Sequence, residues 1–191
     1  MKFRVLNALP LFDYREACKI TQGIDLSETG DDFNPKDEVA FWIKQIVANH
    51  STIRSIRFRL VDEEPKSSVM QLIRATKGHP QPFVQSSRPD WCGKERSSDP
   101  YEDKLFIQDH SAESFIEMAK QRLCTRTEER TRKIMIEMVK ELKQSHIPFL
   151  QAVGYCCRPI CKWLNGCPEI KGCGMFERKI SDEIINEYKN S

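Results

Sequence analysis

The sequence has no apolar run approaching the length of a membrane span, so no membrane-crossing helix is expected. Its opening, MKFRVLNALPLFDYREA, turns polar too soon to read as a secretory signal, and a cytoplasmic location is predicted. Charge of one sign is also scarce. Thirty Lys and Arg face 28 Asp and Glu, for a formal charge of +2, and such a balance gives no field strong enough to draw nucleic acid or a membrane surface by itself. A spread of cysteines is missing too, since five of the eight lie between Cys156 and Cys173. That clustering argues against the disulfide framework of a secreted domain. What remains is a 191-residue chain long enough for one domain with a real core, read as a single domain over 1–191 with a cysteine-rich segment at 156–174.

The stretch around which the rest is organised is Ser67 to Trp91, SSVMQLIRATKGHPQPFVQSSRPDW. A helix carrying Gln71 and Arg74 is predicted to stop before Gly78 and its two following prolines, giving way to Gln85, Ser86, Ser87 and Arg88. A guanidinium fork beside serine hydroxyls suits a phosphate or a pyrimidine edge. The alternative is an ordinary polar loop after a helix.

Along the chain, Lys2 to Leu6 is predicted as a strand and Tyr14 to Thr21 as a short helix, followed by a polar, acidic loop from Gly23 to Asn34. Asn34 and Pro35 form a helix start, and Val39, Trp42, Ile43, Ile46 and Val47 recur at helical spacing as a buried stripe. Ile56, Phe58 and Leu60 alternate with Arg57 and Arg59, the pattern of a half-buried strand, with a turn expected from Asp62 to Lys66. A charged loop follows Trp91, then a strand at Leu105 to Ile107. A helix from Ser111 to Leu123 follows, with Ser111 as cap and Ser114 at the capping-box position. Arg122 to Arg132, RLCTRTEERTR, is predicted to open a long helix with a stripe of Ile134, Met135, Met138, Val139 and Leu142. The final segment, 176–191, reads as an amphipathic helix with Ile180, Ile184 and Ile185 inward.

The cysteine-rich segment leaves three readings open. Thiolates are preferred zinc ligands, and Cys156, Cys161, Cys167 and Cys173 form a candidate set, although the paired C-x-x-C knuckles of a strong zinc signature are missing. The others are free buried thiols and a conditional disulfide.

Three stretches, in order, resemble the flavin-dependent thymidylate synthases. That family has a helix reading Q-L-x-R-H-R followed by S-x-R. Here Gln71, Leu72, Ile73 and Arg74 match the helix and Ser86, Ser87 and Arg88 the second element, with Ala75 and Thr76 replacing the basic pair and nine residues between the elements. The family's R-L-C-N-R-A-Q-W-E-I-R element is similar to Arg122–Arg132: Arg122, Leu123, Cys124, Arg126 and Arg132 match, whereas Thr125, Glu128, Glu129 and Arg130 depart. Its C-P-E-G-K-x-x-C-G ending is similar to Cys167, Pro168, Glu169, Lys171, Cys173 and Gly174, with one residue fewer between the cysteines. His50, Ser51 and Thr52 stand where the family has a G-H-x-S/T segment, with Asn49 replacing the glycine.

The resemblance implies an α+β fold, a twisted sheet with a long helix packed across it and flanking helices, assembled as a homotetramer with sites between subunits. It implies methylation of dUMP at carbon 5, with methylenetetrahydrofolate as carbon donor, reduced FAD as hydride carrier and NADPH to recharge the flavin. Gln71, Arg74, Gln85, Ser86, Ser87, Arg88 and Arg132 would hold the pyrimidine nucleotide, Arg132 and Ser86 in catalytic roles. His50, Thr52, Arg74, His79 and Arg126 would contact the flavin, His79 standing in for charge lost at Ala75 and Thr76. Those departures keep open a relative that modifies carbon 5 of another pyrimidine nucleotide, for example by hydroxymethylation. Outside the enzyme class stands a zinc-stapled interaction or nucleic-acid-binding module with Arg54, Arg57 and Arg59 as a basic strand face.

Overall fold

Apolar and basic residues alternate from Ile56 to Leu60, so this segment has one dry edge and one wet edge, and the sheet is built outward from it. The structure is a computed structural model that describes residues 2–6, 17, 35–76, 82–93, 95, 97–178 and 180–190. In chain order the elements are β1 (Lys2–Val5), α1 (Pro35–Val47), a 3₁₀ turn (Ser51–Ser55), β2 (Arg57–Pro65), α2 (Lys66–Ala75) and β3 (Pro82–Val84). They continue with α3 (Pro89–Cys92), β4 (Asp103–Ser111), α4 (Ala112–Arg122), α5 (Glu129–Lys143), α6 (Pro148–Cys156), α7 (Ile160–Leu164) and α8 (Ile180–Asn190). The fold class is α+β, as expected.

The four strands form one antiparallel sheet in the order β1-β2-β4-β3. β2 and β4 are its spine, paired along their full length from Arg57↔Ser111 to Pro65↔Asp103. Side chains alternate across a strand, so Phe58, Leu60, Phe106 and His110 turn inward and are at most 1% exposed, while Arg57 and Leu105 face out. Phe3, Phe58, Phe115 and His110 form an aromatic cluster under the sheet, with centroid separations of 5.2 to 6.2 Å. Each such ring removed from water contributes about 1.5–3 kcal/mol, which makes this cluster the anchor of the sheet.

α2 and α4 pack on the sheet's inner side, and α5 packs on α2, α4 and α6. The long helix therefore meets mainly helices, as a second layer, rather than lying directly across the strands. α1 packs on α6 through Trp42 and Phe149, whose rings meet edge-on at 5.3 Å. The α5 stripe is buried as predicted, with Met135, Met138 and Leu142 at 0% exposure. Ser111 caps α4 and exchanges hydrogen bonds with Ser114, a capping box with serine at both positions.

Several expectations need correction. β2 runs three residues past Asp62 and passes straight into α2 with no intervening turn, because cross-strand pairing to β4 holds the acidic stretch extended. Arg122–Arg132 does not open a continuous helix: α4 ends at Arg122, a turn follows, and α5 starts at Glu129. Val47 lies outside the buried stripe of α1, at 57% exposure. On α8, Ile184 and Ile185 are 61% and 46% exposed, so its apolar face is not packed inward. The helix expected at Tyr14–Thr21 (apart from Ala17), the loop at Gly23–Asn34 and His79 lie outside the described residues. Among the described residues no helix is long and apolar enough to cross a membrane.

Candidate functional site

α2 begins without a side-chain cap. Its first amides are satisfied by main-chain carbonyls that lead into β4: Lys66 N donates to Glu102 O (3.0 Å) and Ser67 N to Pro100 O (2.9 Å). Ser68, Val69, Leu72 and Ala75 form its buried face. Ala75 and Thr76, where the resembled family carries basic side chains, are packing residues here. Ala75 is 1% exposed, and the Thr76 hydroxyl donates to Leu72 O (2.9 Å) and accepts from Gln108 Nε2 (3.4 Å). Gln71 and Arg74 lie on the other side of the helix, half-buried and exposed respectively.

The α4–α5 turn meets this side of α2. Arg122, the last residue of α4, donates from Nε to the Gln71 carbonyl at 2.9 Å, across 51 residues of sequence. Burial, then the charge of neighbouring Arg74, pushes the Arg122 pKa down. One turn further along, a 3.2 Å hydrogen bond between the Ser68 and Thr131 hydroxyls ties α5 to α2. Two of the sequence's three motif stretches are thus locked together.

The acids of this turn are occupied by helix α5 itself. The Glu128 carboxylate caps it, accepting from Arg130 N (3.0 Å), Thr131 N (2.8 Å) and Thr131 Oγ1 (2.8 Å), and those bonds hold the Glu128 carboxyl below its usual range. Glu129 pairs with Lys133 at 2.6 Å. Arg130 lies over the Tyr101 ring at 4.6 Å. That leaves Arg74, Arg122, Arg126 and Arg132, none of which pairs with a carboxylate among the described residues. Arg132 makes a single long bond, Nε to Leu123 O at 3.3 Å, and the rest of its fork is uncommitted. Arg74 and Arg122 are close enough to repel one another, and Arg126 and Arg132 share the lining of one cavity, so the two pairs leave positive charge uncompensated on α2 and on the α4–α5 turn.

Arg126 and Arg132 also line a cavity of 140 Å³, closed on its other side by the cysteine-rich segment through Cys161, Cys167, Pro168 and Cys173. The third motif stretch therefore joins the second. Cys124, Cys156, Cys157, Cys161, Cys167 and Cys173 are all unbonded thiols. Among the described residues no three His, Cys, Asp or Glu side chains are grouped to hold a metal ion, so Cys156, Cys161, Cys167 and Cys173 do not assemble the zinc site considered from the sequence. Cys156 lies at the end of α6, outside the lining of the cavity that the other three share.

The remaining predicted residues take other places. Gln85 extends the β3–β4 pairing, its amide donating to Leu105 O (2.8 Å) and its side-chain oxygen accepting from Leu105 N (3.3 Å). The Ser86 hydroxyl accepts from Arg88 N (3.1 Å), Ser87 is half-buried beside it, and Arg88 forms a two-point ion pair with Asp90 under the Trp91 ring. Arg88 is not among the residues lining the cavity of Arg126 and Arg132 in this chain. His50 follows a left-handed Asn49 (φ 53°) and is fixed by its amide to Gln45 O at 3.1 Å. Thr52 lies in the 3₁₀ turn, and its side chain is outside the described residues. Arg122 had no predicted role. Its place at the end of an apolar stripe on α4, one turn after Met118 and Ala119, is the signal that sets it beside another packed helix. Compared with known proteins, the chain matches no protein-family model and no curated protein.

Proposed function

We propose that this chain is a divergent flavin-dependent enzyme that methylates a pyrimidine nucleotide at carbon 5, converting dUMP to dTMP with methylenetetrahydrofolate as carbon donor and NADPH as reductant. The observation that carries the reading is the set of four arginines, Arg74, Arg122, Arg126 and Arg132, left without carboxylate partners where α2 meets the α4–α5 turn. A nucleotide phosphate relieves the repulsion between Arg74 and Arg122, and a charge-assisted bond of this kind is worth about 1.5–3 kcal/mol. The Arg132 guanidinium, held at one corner by Leu123 O, presents its other donors to a uracil carbonyl, where they stabilise the negative charge that makes carbon 5 nucleophilic.

An anionic dinucleotide cofactor fits the same chemistry, since its pyrophosphate needs cations and Arg74 and Arg126 are both exposed. When bound, FAD in its reduced form supplies the hydride. The chain's own residues bind, orient and polarise. Ser86, Ser87 and Arg88 would act from a neighbouring subunit of a homotetramer, Arg88 exchanging Asp90 for the phosphate. The basic-strand reading is less well supported: Arg59 is engaged at two points by Asp109 (2.7 and 2.8 Å), and Arg54 by Glu113 at 3.4 Å, so that face is largely neutralised.

Calorimetry with dUMP tests the proposal. Arg132→Ala is expected to weaken binding by about tenfold or more with an unchanged circular dichroism spectrum. The purified protein is expected to carry a flavin absorbance band. Equal dUMP affinity in wild type and variant would overturn the site.

A further inference from the structure

The cavity beside Arg126 and Arg132 is lined by four thiols, Cys124, Cys161, Cys167 and Cys173, drawn from three separate segments. Binding a nucleotide needs none of them. Cys173 is exposed, while Cys167 is buried at 6% exposure. The two belong to one closed loop, whose base is the hydrogen bond from Cys167 N to Glu177 O at 3.0 Å. Inside that loop the chain doubles back over the Cys167 sulfur. A Cβ on Gly172 would sit 3.2 Å from Cys167 Sγ, and Gly174, at φ +84°, makes the return turn that a side-chain-bearing residue resists. Cys173 lies between these two glycines, so its main chain passes next to the buried thiol.

The surroundings of Cys173 differ from those of the other thiols. The Thr125 hydroxyl and the Met175 amide donate to its sulfur and the Arg126 charge is close, all of which lower the pKa of this thiol. Burial pushes Cys156 the other way, up to about 11, and raises Cys157 further; Cys161 is also raised, by burial and by neighbouring Cys124. The exposed thiol is thus the nucleophilic one, with a second thiol beneath it.

We propose that Cys173 and Cys167 form a peroxide-responsive thiol pair at the mouth of the arginine-lined cavity, Cys173 as the reactive thiol and Cys167 as the resolving one. The Cys173 thiolate attacks one oxygen of a hydroperoxide. An S–O bond forms, the O–O bond breaks, and the departing hydroxide takes up a proton as water when the oxidant is hydrogen peroxide. The Cys167 sulfur then attacks the sulfenic sulfur. The S–S bond forms, the S–O bond breaks, and the hydroxyl leaves with the Cys167 proton as a second water. Two thiols lose two electrons and one peroxide gains them. Oxidation also removes the negative charge that an ionised Cys173 places beside Arg126.

The test uses the full-length reduced protein, freed of reductant, treated with about one equivalent of hydrogen peroxide, blocked with N-ethylmaleimide and digested with trypsin. Trypsin cuts after Lys162, Lys171 and Arg178, so the two cysteines fall on separate peptides, 163–171 and 172–178, unless a disulfide joins them. The expected product is that joined pair, released by dithiothreitol, with Cys173 consumed about tenfold or more faster than Cys156. In Cys167→Ser, Cys173 should instead be trapped by dimedone as the sulfenic acid. Absence of the joined peptides, oxidation of Cys173 no faster than Cys156, or linkage of Cys167 to Cys161 with Cys173 untouched would each overturn the proposal. The wild-type digest decides the question even if a variant does not fold.

Discussion

Gly154 lies in α6 where that helix crosses the end of α5, and Gly154→Ala tests how closely the two backbones approach. A Cβ built there would stand 2.8 Å from the Lys143 main-chain nitrogen and 3.0 Å from Leu142 Cβ and Lys143 Cγ. Ordinary contact begins at 3.4 Å, so α6 would have to retreat by roughly 0.6 Å against its first obstacle, which is backbone and cannot rotate aside. Retreat is opposed on the other side, since Trp42, Phe149, Leu150 and Val153 are at most 1% exposed and leave no slack. Overpacking of this kind costs about 1–3 kcal/mol, and a rigid obstacle favours the upper end. Alanine returns about 1 kcal/mol of helix propensity. The net expectation is a loss of about 1–2 kcal/mol, or roughly 2–8 °C in Tm for a chain of this length. Gly93→Ala is the contrast: nothing lies within 4 Å of its Cβ position, but φ is +64°, so any loss there is backbone strain alone. Thermal melts followed by circular dichroism, with urea titrations to check that the m-value is unchanged, give the answer. A Gly154→Ala protein as stable as wild type, or more so, would refute the close crossing.

Arg74→Gln and Arg122→Gln should each weaken dUMP binding by about tenfold or more, while Arg130→Gln, whose guanidinium is committed to the Tyr101 ring, should leave calorimetric affinity unchanged. The buried His110 and the half-buried Glu64 set opposing pH slopes. Burial lowers the His110 pKa to about 3, so between pH 6.5 and about 3 the unfolded chain binds the extra proton, and stability contributed by neutral His110 is full above 6.5 and lost as pH falls, by at most about 1.4 kcal/mol per pH unit. Glu64 runs the other way. Burial, then the charge and hydrogen bond of Asp62, raises it to about 7, so its contribution is present below 4.5 and lost as pH rises towards 7. Urea midpoints measured from pH 4.5 to 6.5 should change little in wild type, where the two slopes offset, fall with rising pH in His110→Phe, and rise in Glu64→Gln. Unchanged slopes in both variants would contradict these assignments.

Periodicity carried much of the fold. The alternation of Ile56, Phe58 and Leu60 and the stripes of α1, α4 and α5 are local patterns with one dominant cause, burial of one face, and they could be read before any contact was known. Where the reading failed, the deciding partner was distant in sequence. Asp62 to Glu64 look like a turn because acids favour turns, yet β4 pairs with them and keeps them extended. The helix over Ile180–Asn190 has the periodicity of a packed face, yet Ile184 and Ile185 on it are exposed. The break after Arg122 has no glycine or proline to announce it; it rests on Glu128 serving as a cap and on the Thr127 hydroxyl bonding to Gln121 O at 2.8 Å. The candidate site was half visible. Arg132 and Arg126 could be picked from their motif, but the importance of Arg122 depends on α2 lying beside it. The pairing of Arg88 with Asp90 was equally hidden, because an acid two residues away is a partner only once the chain curls into α3.

The direct passage from β2 into α2 at Pro65 and Lys66 places the two elements in a fixed phase. One residue inserted at that joint would rotate α2 by about 100° about its own axis, carrying Arg74 out of range of Arg122 and exposing Leu72. Insertions and deletions should therefore be excluded from this joint more strictly than from the surface turns, and the strand serves as a ruler that sets the angular position of the cations on the helix that follows it.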